Sequence, residues 1–147
     1  MIKFGTGGWR AVIGDEFTKK NIQLLAKAMC NKMKAEGKTD KGMIIGYDKR
    51  FLSKEAMRWM GQVFAAQEIT TLLVNKSAPT PLIMFYVEKH EMPYGMMVTA
   101  SHNPAIYNAR QNHWNRYKKQ KHSNCKSKCI FYCDQKNTIT KQLAIIF

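Results

Sequence analysis

The sequence predicts an α/β fold, a largely parallel sheet covered by helices on both faces. Three observations carry that prediction. Between residues 18 and 100, segments with apolar residues every third or fourth position alternate with short continuous apolar runs. Strands joined through helices make right-handed crossovers and therefore lie parallel. The composition fits one core: 147 residues, 45% hydrophobic and 23% charged, suit a globular domain rather than a disordered polymer.

The elements follow in order. From Thr18 to Glu36, the residues Ile22, Leu25, Ala26, Met29 and Met33 trace one face of a helix, with Thr18 as N-cap and Gly37 as its stop. GMIIGYD (42–48) reads as a short buried strand. Ser53 is expected to cap a second helix through Met57, Met60, Val63 and Phe64, ending near Gln67. ITTLLV (69–74), rich in β-branched residues, reads as a second strand. PTPLIMFYVEKHE (79–91) fits a third helix after a proline turn, and YGMMVTA (94–100) a third strand. Met29, Met33, Met57, Met60, Met96 and Met97 fall at core positions and read as packing, as does Cys30.

Open parallel sheets bind ligands at the carboxyl ends of their strands. The loops expected there are DKR (48–50), KSAPT (76–80) and SHNP (101–104), all on one edge. Ser101, at a strand end, is a candidate nucleophile; its plainer role is a turn-forming hydroxyl before proline. His102 is its neighbour on an extended chain and points the other way, so the pair alone does not make a base on a nucleophile. The stretch FGTGGWR (4–10) adds glycine amides able to approach an anion, and Arg10 adds a guanidinium fork for phosphate oxygens. Its plainer reading is a glycine turn with a solvated arginine. The loop Asp48-Lys49-Arg50 brings further cationic groups, or is simply an exposed charged loop. Taken together these features surround a serine with phosphate-binding groups.

FGTGGWRAVIGDEFT, GYDKRFLS, SAPTPL and TASHNPAIYN, in that order, resemble the first domain of the α-D-phosphohexomutases, the phosphoglucomutase/phosphomannomutase family. The resemblance runs through residues 1–108. It implies a three-layer α/β/α sandwich on a mostly parallel mixed sheet, the first of four domains. It implies further that Ser101 is a phosphoserine exchanging its phosphoryl group with a hexose phosphate, through a bisphosphate such as glucose 1,6-bisphosphate. By the same resemblance Thr6 and Arg10 lie beside the phosphoserine and His102 handles the transferring proton. Asn103 belongs with the phosphate-binding group and, with Pro104, fixes the turn. Mg²⁺ is implied too, held by the phosphate of Ser101 and by aspartates of a second domain. After TASHNP the family continues through Asn-Gly to a lysine; this chain keeps Tyr107 and Asn108 and then reads Ala109, Arg110 and Gln111. Glutamine cannot exchange a proton near neutral pH, so the lysine's acid/base role has no counterpart at that place.

The net charge of +14 is uneven. Residues 1–108 hold fifteen Lys and Arg against nine Asp and Glu, and residues 109–147 hold nine against one. Residues 109–147 therefore read as a separate basic, cysteine-containing tail. Three accounts of it compete: a non-native continuation such as a frameshift, or a disordered segment, after an intact first domain; a basic nucleic-acid-binding tail in which Trp114 and Tyr117 stack on bases; and a metal site from His122, Cys125, Cys129 and Cys133. The last has no paired C-x2-C spacing, and the chain as a whole does not point to a nucleic-acid partner. MIKFGTGGWR has no apolar leader core and LIMFYV is far too short to span a bilayer, so a cytoplasmic protein is the expectation. The first-domain motifs alone lack the sugar-binding and most of the metal-binding parts of the family, so the fragment is expected to be inactive.

Overall fold

The computed structural model of the chain describes residues 2, 8–100, 107–114 and 143–146. The elements are β1 (Gly8–Val12), α1 (Lys19–Ala35), β2 (Met43–Tyr47), α2 (Ser53–Ala65), β3 (Thr71–Val74), α3 (Thr80–Lys89), β4 (Tyr94–Val98), β5 (Tyr107–Trp114) and β6 (Leu143–Ile146). The helix–strand alternation predicted from the sequence is present.

The helices start and stop for local reasons. Thr18 caps α1 by accepting a hydrogen bond from the Asn21 amide (3.3 Å). At its other end Gly37 takes a left-handed φ of 61°, with Gly37 N donating to Lys34 O and Lys38 N to Met33 O, a Schellman closure. Prolines at positions 79 and 81 open α3. One capping expectation is corrected. Ser53 is the first residue of α2 and not its cap; the cap position is Leu52, with left-handed backbone and no side-chain cap bond. The Ser53 hydroxyl instead donates to Asp48 Oδ1 (2.8 Å), so a nearer carboxylate has taken it from the helix amides.

Among the described residues one sheet forms, in the order β1-β5-β4-β2-β3-β6. β4, β2, β3 and β6 run parallel, whereas β5 is antiparallel to both β4 and β1. The sheet is thus mixed but mostly parallel, as the family resemblance implied. β1, β5 and β6 are additions to the three predicted strands. Residues 8–10 of the glycine-rich stretch are not a turn: they pair with β5, and Trp9 is buried to 1% exposure. β5 also runs across position 108, where the composition changes.

The core lies on both faces of the sheet. On one, Trp9, Ala11, Met43, Ile45, Tyr47, Met96 and Val98 pack with Ile22, Leu25 and Met29 of α1 and Met57, Met60 and Phe64 of α2. Cys30 is buried in the same cluster. The Trp9 ring stacks on Phe17 at 5.8 Å between centroids. On the other face Ile44, Val74 and Met97 pack with Ile83, Tyr86 and Val87 of α3. Both central strands are buried throughout, which explains why β2 and β4 read as unbroken apolar runs rather than alternating ones. Gly46 and Gly95 let α3 settle: a Cβ on either would collide with the side chain of Ile83 or Val87 respectively.

Candidate functional site

Because β2, β3 and β4 are parallel, their carboxyl ends share one edge, and the loops leaving β2 and β3 are each bonded there to the end of a neighbouring strand. Tyr47, the last residue of β2, donates its hydroxyl to Asn75 O (2.6 Å) and accepts at its own carbonyl from Ala78 N (2.9 Å). The loop after β3 is thereby fastened to the end of β2. Asp48 N donates to Val98 O (3.1 Å), fastening the loop after β2 to the end of β4. In that loop Asp48 Oδ1 accepts from Arg50 N (2.9 Å) and from the Ser53 hydroxyl, and Arg50 Nε stands 3.8 Å from Asp48 Oδ2. Asp48 thus offsets part of the positive charge of its own loop; Lys49 is exposed to solvent. Thr99 and Ala100, both buried, carry β4 out of the sheet beside this loop.

Arg10 reaches the same edge from β1. Across β5, Trp9 faces Arg110 and Arg110 faces Val98, so Arg10 stands level with Thr99, one residue beyond the end of β4. The strands are two apart, about 10 Å at ordinary sheet spacing. Trp9 and Ala11 turn into the core while Arg10, between them, is exposed on the opposite face. The sheet register therefore brings Arg10 to the height at which residues 99 and 100 lead toward position 101. Ser101, His102, Asn103 and Thr6 lie outside the described residues, as do His122, Cys125, Cys129, Cys133 and Tyr117. Among the described residues, no group of three or more His, Cys, Asp or Glu is arranged to hold a metal ion.

One participant was not singled out from the sequence. Asn108 of β5 is fully buried and donates through Nδ2 to Phe51 O (3.1 Å) and to Ser53 Oγ (2.9 Å). Its place in TASHNPAIYN marked it as part of a motif, but its partners stand more than fifty residues away in the chain, and no local pattern reports them.

Among the described residues, a strongly perturbed carboxylate lies at the other end of the sheet. Glu36 is held down to about 2 by hydrogen bonds from Lys32, then Lys38, then the Tyr94 hydroxyl. The same carboxylate raises Lys38, and burial raises Tyr94. Tyr94 begins β4, so this cluster sits at the amino edge, away from the loops described above. It braces the end of α1 against the sheet.

Residues 1–121 match the family described as phosphoglucomutase/phosphomannomutase, alpha/beta/alpha domain I. The chain belongs to that family. The match to its first domain extends past position 108 and takes in the whole of β5. Among curated relatives, a Schizosaccharomyces pombe protein named "Probable phosphoribomutase" is 34% identical over 120 residues, covering 77% of this chain and 20% of its own length. A phosphoglucomutase of Staphylococcus saprophyticus is 33% identical over 115 residues, covering 74% and 20%. A solved structure from Thermus thermophilus, whose name carries the word phosphomannomutase, superposes with TM-score 0.70 at 34% identity, over 77% of this chain and 25% of that one. A Burkholderia thailandensis structure at 22% identity and TM-score 0.66 shares the fold. The chain spans about a fifth of the length of the curated relatives it matches. The comparisons lend no support to the nucleic-acid-binding account of the basic segment. Among the described residues no helix is long and apolar enough to cross a membrane.

Proposed function

We propose that this chain is the phosphoserine-bearing domain of a phosphohexomutase, with Ser101 as the residue that carries the phosphoryl group. The observation that supports it best is the carboxyl edge. The loops after β2 and β3 are each fastened there to the end of a neighbouring strand, β4 leads out of the sheet toward TASHNP, and Arg10 stands at the same height on β1. A phosphoserine needs such a setting, because phosphoryl transfer is mostly positioning and stabilisation of charge.

In the proposed reaction a hydroxyl of a hexose monophosphate attacks the phosphorus of phospho-Ser101. The P–Oγ bond breaks, a P–O bond to the sugar forms, and Oγ leaves as the alkoxide equivalent. His102 handles the proton lost by the sugar hydroxyl. The product is a hexose bisphosphate, which returns its other phosphoryl group to Ser101 and leaves as the isomeric monophosphate. Arg10, with Thr6 and Asn103, holds the phosphate oxygens, the guanidinium through paired N–H bonds. Mg²⁺, when bound, would neutralise charge on the transferring group. Asp48 is engaged within its own loop: Oδ1 accepts from Arg50 N and the Ser53 hydroxyl, and the Arg50 guanidinium faces Oδ2 at 3.8 Å. By the family resemblance the phosphate on Ser101 is the ligand this chain would contribute, with a cytoplasmic setting and hexose phosphates as the small-molecule partners.

The test is covalent labelling. Incubation of the 147-residue chain with glucose 1,6-bisphosphate is expected to add one phosphate at Ser101, located by peptide mass spectrometry. Ser101→Ala should take none, and Arg10→Ala should take it at least about tenfold more slowly, the usual scale for losing a charged transition-state contact. Labelling elsewhere, or none in the wild-type chain, would overturn the assignment.

A further inference from the structure

The loop between β2 and α2 turns on Leu52, whose backbone is left-handed (φ 61°, ψ 2°). An L residue with a branched side chain takes that conformation only where its surroundings impose it, and such imposed strain gathers at functional sites. Here one side chain from another strand holds the residues on both sides. Asn108 donates to the carbonyl of Phe51 before Leu52, and to the hydroxyl of Ser53 after it. Ser53 donates onward to Asp48 Oδ1, which also accepts the Arg50 amide. Asp48 in turn is fixed to the end of β4 through Val98 O.

We propose that Asn108 is a positioning residue for phosphoryl transfer at this edge. Its buried carboxamide sets the Asp48–Ser53 loop, and with it the Arg50 guanidinium, against the end of β4 that leads to Ser101. The proposal rests on the reading of Ser101 as the phosphoserine. The chemistry requires an amide. One NH₂ group supplies two N–H donors, one spent on a carbonyl and one on a hydroxyl that must then donate in its turn, so the direction of the relay is determined. A carboxylate of nearly equal volume would set an acceptor against the Phe51 carbonyl and leave that half-buried carbonyl without its donor.

The experiment uses the full 147-residue chain with glucose 1,6-bisphosphate as phosphoryl donor. It compares wild type, Asn108→Asp, Ser53→Ala and Tyr94→Phe, the last a lesion at the opposite edge. Two quantities are read: the rate of Ser101 phosphorylation across donor concentrations, and hydrogen exchange of the amides of residues 48–53. Asn108→Asp is expected to lower the limiting rate about tenfold or more, with the half-saturating concentration changed less than about twofold, because a misplaced loop costs the reaction rather than the binding. Exchange of the Arg50 amide should accelerate. Ser53→Ala, which breaks the relay but leaves Phe51 held, should shift both readings the same way and decides the matter if Asn108→Asp fails to fold. Tyr94→Phe should change neither. A wild-type rate in folded Asn108→Asp, or an equal loss in Tyr94→Phe, overturns the positioning role. A wild-type chain that takes no phosphate at Ser101 instead overturns the phosphoserine reading and the catalytic part of this one with it, while Arg50 exchange still reports whether Asn108 holds the loop.

Discussion

At the end of α1 the carboxylate of Glu36 meets the negative pole of the helix, where a negative charge is ordinarily unwelcome. Lys32 at 2.7 Å, Lys38 at 2.6 Å and the Tyr94 hydroxyl reverse that balance and hold Glu36 near 2 instead of 4.5. A carboxyl depressed in the folded state stabilises the fold once it is ionised, above its unfolded value, and that contribution fades as pH falls through the folded one. Stability from this cluster should therefore be constant above about pH 4.5 and decline between there and about pH 2. Urea midpoints across that range should show the decline in wild type, and a smaller one in Glu36→Gln. At this scale the sequence was legible where the signal is local: Thr18 and Gly37 act as their types and spacing suggest. It was illegible for Trp9, Ser53 and Asn108, whose roles depend on groups brought in by the fold rather than by neighbouring spacing.

Elements obey their own constraints. The closures of α2 and α3 repeat that of α1: Ile69 N bonds to Phe64 O, and Met92 N to Val87 O, around left-handed residues at φ 59° and 48°. In those two places the left-handed residue is Glu68 or Glu91, not glycine. Glu91 pairs with Lys41, whereas Glu68 is exposed, so Glu68→Gly removes strain at little cost in contacts. It should stabilise the fold by about 0.5–1 kcal/mol, read as a raised urea midpoint with unchanged slope. The opposite outcome is expected inside the sheet. Gly95→Ala sets a methyl against Val87 of α3 and should destabilise by about 1–3 kcal/mol. Apolar periodicity located all three helices, and continuous apolar or β-branched runs located β2, β3 and β4. β1 was hidden because glycine-rich sequence is weak strand signal, and β5 because its polar residues give no apolar alternation.

For the whole molecule, the order of elements was enough to put the carboxyl ends of β2, β3 and β4 on one edge, and the observed parallel register agrees. The order could not reveal that the sheet is mixed, because an antiparallel strand inserted between β1 and β4 leaves no trace in the helix–strand alternation. The chain covers about a fifth of the length of its curated relatives. We therefore expect the purified 147-residue polypeptide to label at Ser101 yet not to interconvert glucose 1-phosphate and glucose 6-phosphate. A coupled assay registering sustained turnover would contradict this.

The pairing of Gly8 with Gln111 and of Val12 with Tyr107 has a consequence for how the molecule comes into being. In a nascent polypeptide β1 would have no partner until the much later β5 had been translated. The indole at position 9 would spend that interval in solvent or against whatever greasy surface lay nearby. Assembly should thus be governed by a late, long-range closure, slow on the scale of helical proteins. Synthesis halted before position 107 should leave a chain that chaperones retain.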